Sequence, residues 1–120
     1  MVSKADIEVE LDLFAGRPNP TWKLPDDLAR RLIREASQSE VIETVEMFEG
    51  LGYRGFLVHF DQAETWRVRG EILEITRAGS PTYKKNKSRS IERSLLESGM
   101  PYLDEKIFQK LERDIRASIK

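Results

Sequence analysis

Hydrophobic and polar residues alternate strictly in the first patterned stretch of the chain. Over residues 7–13, aliphatic side chains occupy every second position and acidic residues stand between them. A period of two with one apolar face predicts a half-buried β-strand. Gly16, Pro18 and Pro20 follow, and because proline cannot donate to a sheet ladder, the strand is expected to end before them.

Apolar residues recur at helical spacing in three later segments. The first helix is expected to open at residues 24–27, where a proline suits the first helical position, and to fray at residues 37–39. A second helix is expected from about Ser90 to Gly99, which can end it. A third is expected after Asp104, whose side chain can cap it.

Three regions between these helices are less regular. Residues 40–48 combine helical apolar spacing with β-branched side chains, so either a short helix or a strand fits them. Residues 53–60 and 65–76 alternate as strands of an antiparallel meander, and Gly70 marks either a bulge or a tight turn dividing two strands. Residues 77–89 are polar, basic and rich in turn residues, which predicts a loop.

These elements together indicate the α+β class. The strands have one apolar and one polar face, which is typical of antiparallel rather than parallel sheets. We expect a small antiparallel sheet of three to four strands, with three to four helices packed mainly on one face. A length of 120 residues predicts a single domain over residues 1–120.

The composition narrows the classes of function. Twenty basic and 21 acidic residues give a net charge of −1, which does not require nucleic acid or an acidic membrane as a partner. The chain has no cysteine and one histidine, which excludes a Cys–His pair and a histidine-rich metal centre. No apolar run is long enough to span a bilayer and no signal peptide is expected. We expect a cytoplasmic protein with no cofactor and no bound metal.

Carboxylates are the remaining catalytic candidates. Glu8, Glu10 and Asp12 share the polar face of the first strand, and paired acids can perform acid–base chemistry when one of them is desolvated. The interpretation that we favour is a solvated strand face, or pairing with Arg67 and Arg69 across the sheet. No catalytic residue is therefore assigned.

Residues 16–22 are the strongest candidate for a binding element. Two prolines in this segment fix φ and keep the residues before them out of helical geometry, so the segment should be stiff. Arg17 offers a planar five-donor group and Trp22 a large amphipathic ring, and both residue types often dominate interfaces. The alternative is structural: the prolines turn the chain, Trp22 fills the core and Arg17 pairs with Asp12.

Three motifs resemble, in the same order, a group of small bacterial proteins of unassigned function. They lie at residues 11–22, 50–56 and 91–96, and the group shares Phe-small-Gly-Arg-Pro-Asn-Pro-x-Trp after the first strand. Proteins of this size are encoded beside peptide-modifying enzymes, including radical enzymes that excise part of a precursor peptide. The chain resembles the ones that serve there as non-catalytic, substrate-binding partners. The resemblance implies an accessory role and supplies no catalytic residue.

We therefore expect a non-catalytic module that recognises a peptide or protein, with presentation of a precursor peptide to a modifying enzyme as one such role. Recognition would use a sheet edge and the loop over residues 16–22. The expected partner contacts are Arg17, Asn19, Trp22, Tyr53 and Arg54. The alternatives are a small carboxylate-based enzyme and a nucleic-acid binder that uses the basic loop over residues 84–93.

Overall fold

A computed structural model of the chain describes residues 7–13, 18–43, 53–60 and 63–117. Within these ranges the chain forms one seven-stranded antiparallel sheet and three α-helices, an α+β fold. The strands are β1 (Glu8–Leu13), β2 (Thr21–Lys23), β3 (Val41–Ile42), β4 (Tyr53–His59), β5 (Glu64–Arg69), β6 (Ile72–Arg77) and β7 (Ser80–Lys85). The helices are α1 (Asp26–Ser37), α2 (Ser90–Ser98) and α3 (Glu105–Ala117), with 3-10 turns at Lys87–Arg89 and Met100–Tyr102. The order of strands across the sheet is β2-β1-β4-β5-β6-β7-β3.

The sheet is much larger than the three to four strands predicted from the sequence, so that prediction is wrong. β2 and β3 have three and two residues, which is too short for alternation to show. β7 lies inside the segment predicted as a polar loop. None of its residues is buried, because it is next to the end of the sheet and its only neighbour on that side is the short β3. A strand that buries no side chain has no apolar face to be detected in the sequence.

Tight turns connect the last strands. β5 and β6 pair without interruption from Glu64–Arg77 to Arg69–Ile72, so Gly70 is in a two-residue turn and not in a bulge. Its φ of 61° is the left-handed conformation that such turns require. Within residues 40–48, Val41–Ile42 is a strand that pairs with β7, and residues 44–48 lie outside the described ranges.

The helices predicted from apolar spacing are confirmed, with bounds close to those expected from the sequence. α1 follows Pro25 and ends at Ser37, and α2 begins at Ser90. Asp104 caps α3, because its Oδ1 accepts from the backbone N–H of Lys106 at 2.9 Å. No helix in the described ranges combines the length and the apolarity needed to cross a bilayer.

One hydrophobic core lies between the sheet and the helices. The sheet contributes alternate residues of its central strands and of β2, and all three helices contribute their apolar stripes, so the helices cover the same face. The sheet side of this core is Val9, Leu11, Trp22, Phe56, Val58, Trp66, Val68, Leu73 and Ile75. The opposite face carries mostly charged and polar side chains, with Leu57 and Ile72 among them.

α2 is held at its N-terminus by the buried side chain of Asn86. Asn86 Oδ1 accepts from the Ile91 N–H at 2.9 Å, and its Nδ2 donates to the Gly70 carbonyl at 2.8 Å. The second bond joins the start of α2 to the turn between β5 and β6. From there α2 leads across the helix-covered face to Trp22 in β2, since Trp22 Nε1 donates to Ser98 Oγ at 2.8 Å.

Candidate functional site

Among the described strands, β2 is at one end of the sheet. The pattern of its hydrogen bonds with β1 determines which of its backbone groups face away from the sheet. The Leu11 N–H donates to the Pro20 carbonyl at 3.0 Å. Hydrogen-bonded pairs alternate along an antiparallel ladder, so the Val9–Trp22 pair, two positions away, is bonded as well. Thr21 lies between these pairs and directs its N–H and C=O away from β1. Thr21 is exposed, and its backbone is therefore placed to pair with an added strand.

Residues 18–20 run back along β1 and are held there by Asn19. Asn19 Oδ1 accepts from the Leu13 N–H at 3.0 Å, and Asn19 Nδ2 donates to Glu10 Oε2 at 2.7 Å and Asp12 Oδ1 at 3.4 Å. The amide thus bonds with both of its polar atoms inside the fold. Asn19, predicted from the sequence as a partner contact, positions the loop that leads into β2.

Trp22 lies in the core and is 4% exposed. Its indole N–H is bonded to Ser98, and its ring meets Phe56 edge to face, with the ring centroids 6.3 Å apart. Gly99 packs directly against the six-membered ring. This placement agrees with the structural alternative, in which Trp22 fills the core. We do not include the ring among the contacts with a partner.

Tyr53 begins β4 and belongs to a buried polar cluster with α2. Its hydroxyl donates to Glu92 Oε2, and Arg89 donates to both Glu92 oxygens, from Nε at 2.5 Å and from Nη2 at 3.0 Å. Glu92 is fully buried, so the two-point contact with Arg89 offsets the desolvation of its charge. Burial, followed by the charge of Glu92, raises the pKa of Tyr53 well above its ordinary value. The hydrogen bond with Glu92 likewise raises the pKa of Arg89.

The two arginines predicted as contacts have different positions. Arg54 is exposed on β4, and its backbone carbonyl accepts from Arg67 Nη1 at 3.0 Å. Arg17 lies outside the described ranges, so its contact with a partner stays a prediction. The alternative, an ion pair between Arg17 and Asp12, also stays a prediction. Among the described residues, Asp12 forms an ion pair with Arg67, whose Nη1 donates to Asp12 Oδ2 at 3.0 Å.

Two of the three carboxylates considered for catalysis, Glu10 and Asp12, contact neighbouring side chains, whereas Glu8 is exposed. Glu10 Oε1 lies 3.1 Å from His59 Nε2, and Glu10 also accepts from Asn19. Asp12 is paired with Arg67, as the favoured interpretation of this face predicted. Among the described residues, no three His, Asp or Glu side chains converge to hold a metal ion. Glu10 and Asp12 therefore connect β1 to β4 and β5 through side-chain contacts.

The basic segment over residues 84–93 is divided among different roles. Lys84 Nζ donates to the Ala36 carbonyl at 2.8 Å, at the C-terminal end of α1, where a cation is favoured. Arg89 is bound to Glu92, whereas Lys87 is exposed. Lys85 and Arg93 are exposed as well, so the alternative of nucleic-acid binding through this segment stays a prediction.

A cleft of about 430 Å³ lies between α2 and α3. Its walls combine apolar side chains with charges of both signs, and they are formed by Arg93, Leu96, Glu97, Phe108, Glu112, Ile115 and Arg116. None of the four predicted contact residues within the described ranges, Asn19, Trp22, Tyr53 and Arg54, lines it. The cleft is thus separate from β2 and its loop.

The residues that contribute to this region but were not predicted from the sequence lie on α2 and in the turn after it. Glu92 and Ser98 receive the donors of Tyr53 and Trp22. Glu92 did leave a signal, since it stands on the apolar stripe of α2, where a charge requires a partner. Met100 and Tyr102 are 59% and 63% exposed, and they follow Gly99, which packs against Trp22 of β2.

Comparisons with models of known protein families, with curated proteins and with solved structures found no match to this chain. The geometry of β2 and its surroundings therefore carries the functional argument.

Proposed function

We propose that this chain is a non-catalytic binding module that takes up an extended segment of a partner protein as an additional strand beside β2. The observation that carries the proposal is the outward N–H and C=O of Thr21, at the end of the sheet. An unpaired sheet edge is a template for another strand, and several families of peptide-binding domains use one in this way.

The other end of the sheet is a poorer template. Among the described residues, β7 pairs with β3 at Tyr83 and Lys84, the Lys85 N–H donates to the Glu40 carbonyl at 2.8 Å, and the strand begins at Ser80 and Pro81. Pro81 has no N–H, so this part of the strand cannot donate where it would otherwise face an incoming chain. Proline at an edge strand commonly prevents such pairing. The contrast favours the β2 end of the sheet.

The rigidity of the segment before β2 also supports the proposal. Asn19 fixes residues 18–20 on β1, and Pro18 and Pro20 restrict their own φ angles. A preorganised edge loses little conformational freedom on binding, which leaves more of the interaction energy as affinity. Arg17 would add a charged contact beside this edge.

Backbone pairing alone would bind weakly. A net hydrogen bond contributes about 0.5–1.5 kcal/mol, whereas a micromolar complex needs about 8 kcal/mol. β2 has three residues and can contribute only a few such bonds. Most of the affinity must therefore come from side chains around the edge.

The proposed setting is an accessory role in the cytoplasm, in which the module presents a precursor peptide to a modifying enzyme. The resemblance carried by residues 11–22 supports this role, and a chain without cysteine suits a reducing compartment.

Selection from a displayed library of random dodecapeptides tests strand addition. We compare the wild-type chain with Thr21→Pro, which removes the outward donor but no bond of the β1–β2 ladder. Thr21→Val serves as the matched control, because it changes the side chain and retains the N–H. We expect enrichment on the wild type and on Thr21→Val, and at least about tenfold less on Thr21→Pro. Equal enrichment on all three chains would contradict strand addition at β2.

A further inference from the structure

The path of α2 brings the turn that follows it to the β2 end of the sheet. α2 starts at the β5–β6 turn, through Asn86, and its last residue, Ser98, accepts from Trp22 in β2. Nine helical residues rise about 13 Å, and three strand spacings, from β5 to β2, span about 14 Å. The helix therefore covers this distance, and the chain leaves it beside the edge strand.

Gly99 allows the turn to approach β2 closely. A Cβ atom at this position would lie 2.6 Å from Trp22 Cη2, so only glycine permits this contact without a shift of the ring. The Tyr102 N–H donates to the Gly99 carbonyl at 2.8 Å and closes the turn. Met100 and Tyr102 are held in this short turn, on the helix-covered side of the sheet.

These two side chains are large and exposed, and they directly follow the residue that packs against Trp22 of the edge strand. Met100 is 59% exposed and Tyr102 is 63% exposed. Methionine adapts its shape to different apolar partners, and tyrosine supplies a large rigid ring at low entropic cost. The turn begins at Gly99, against the ring of Trp22 in the edge strand, and this position argues for an added strand as the partner that would cover them.

We infer that Met100 and Tyr102 form the apolar contact for the bound segment and select its side chains. This inference rests on the proposed function. Successive residues of an added strand point to opposite faces of the sheet. The partner residue opposite Trp22 would face the helix-covered side and meet Met100 and Tyr102, whereas its neighbours would lie beside Thr21 on the polar face. The partner is therefore an extended peptide with apolar residues at alternate positions and polar residues between them.

The same dodecapeptide library tests this selection. The test variant is the double substitution Met100→Ser and Tyr102→Ser, and the matched control is Val41→Ser. Val41 is also 59% exposed but lies in β3, at the opposite end of the sheet. All three positions are exposed, so the thermal midpoints should stay close to that of the wild type. We expect the wild type and Val41→Ser to enrich peptides with alternating apolar residues, and the double variant to enrich them at least about tenfold less.

The outcomes separate this inference from the proposed function. If Thr21→Pro loses binding while the double variant enriches the same alternating peptides as the wild type, strand addition stands and the apolar contact is wrong. If Thr21→Pro binds normally while the double variant does not, strand addition is wrong. The alternative occupant is a second copy of the chain, and sedimentation measures whether the chain forms such a dimer. A wild-type dimer that the double variant loses, without peptide enrichment on either chain, would overturn the inference.

Discussion

Two of the predicted contact residues use their polar atoms to hold α2 on the sheet. Tyr53 donates to Glu92 and Trp22 donates to Ser98, six positions further along the same helix. Both aromatic residues were predicted from the sequence as partner contacts, but residue type alone does not distinguish a ring offered to a partner from a ring used in the core. Burial decides this, and it depends on residues far away along the chain.

The buried hydroxyl of Tyr53 predicts a loss of stability at alkaline pH. Its pKa is raised in the folded state, so above about pH 10 the unfolded chain ionises this group while the folded chain retains the proton. The folded state then binds more protons, and the free energy of unfolding falls as the pH rises, by up to about 1.4 kcal/mol per pH unit. Urea unfolding between pH 8 and 11 measures this slope.

Tyr53→Phe should show a shallower alkaline slope than the wild type, because the titrating group is absent. Tyr102→Phe is the control, since Tyr102 is exposed and its removal should leave the slope unchanged. Parallel curves for the wild type and Tyr53→Phe would show that Tyr53 is not the group responsible.

At the scale of elements, α2 is the part of the structure that organises the site. It is attached through Asn86 at its start, Glu92 in its first turn and Ser98 at its end. Its existence and bounds could be predicted from apolar spacing and from the turn residues after it. Its direction across the sheet could not, because each attachment joins segments that are remote in sequence.

The contact between Gly99 and Trp22 predicts the effect of a small substitution. Gly99→Ala places a Cβ against the six-membered ring of Trp22, and such overpacking typically costs about 1–3 kcal/mol. The cost should be smaller in a Trp22→Phe background, because phenylalanine lacks the part of the indole that the Cβ meets. A double-mutant cycle by denaturant unfolding measures this coupling, and strictly additive costs would contradict the contact.

At the scale of the whole molecule, a single core joins five adjacent strands of the sheet, β2, β1, β4, β5 and β6, to all three helices. Buried residues from β2 to β6 and from α1 to α3 belong to one cluster. Such a cluster is typical of one cooperative unit, which bears on the prediction of a single domain over residues 1–120.

Two distant core substitutions test this cooperativity. Leu73→Ala lies in β6 and Leu111→Ala in α3, and each should cost about 2–5 kcal/mol because it leaves a cavity in the core. Both should lower the midpoint of the same transition, with near-ultraviolet and far-ultraviolet circular dichroism coinciding. Two separate transitions, each sensitive to only one substitution, would contradict a single domain.

The part of the fold that the sequence predicted is the part controlled by neighbouring residues. β1, β4 and the three helices each bury one face, so their hydrophobic period is visible over a few turns or pairs. β2 and β7 were missed, because β2 is very short and β7 buries no side chain, whereas for β3 a strand was one of the two alternatives left open over residues 40–48. For the site, the loop leading into β2 was found through its prolines, whereas Met100 and Tyr102 carry no local signal.

The sequence by itself determined the local elements, the turn at Gly70 as one of two possibilities, and a stiff segment after β1. Periodicity, capping and the restricted φ of proline act within a few residues, so the local sequence is sufficient to predict their effects. Only the tertiary structure decided the seven-strand order, the outward direction of Thr21 and the approach of α2 to β2. The Trp22–Ser98 bond joins residues 76 positions apart, and such pairings are chosen by the packing of the whole core rather than by local pattern.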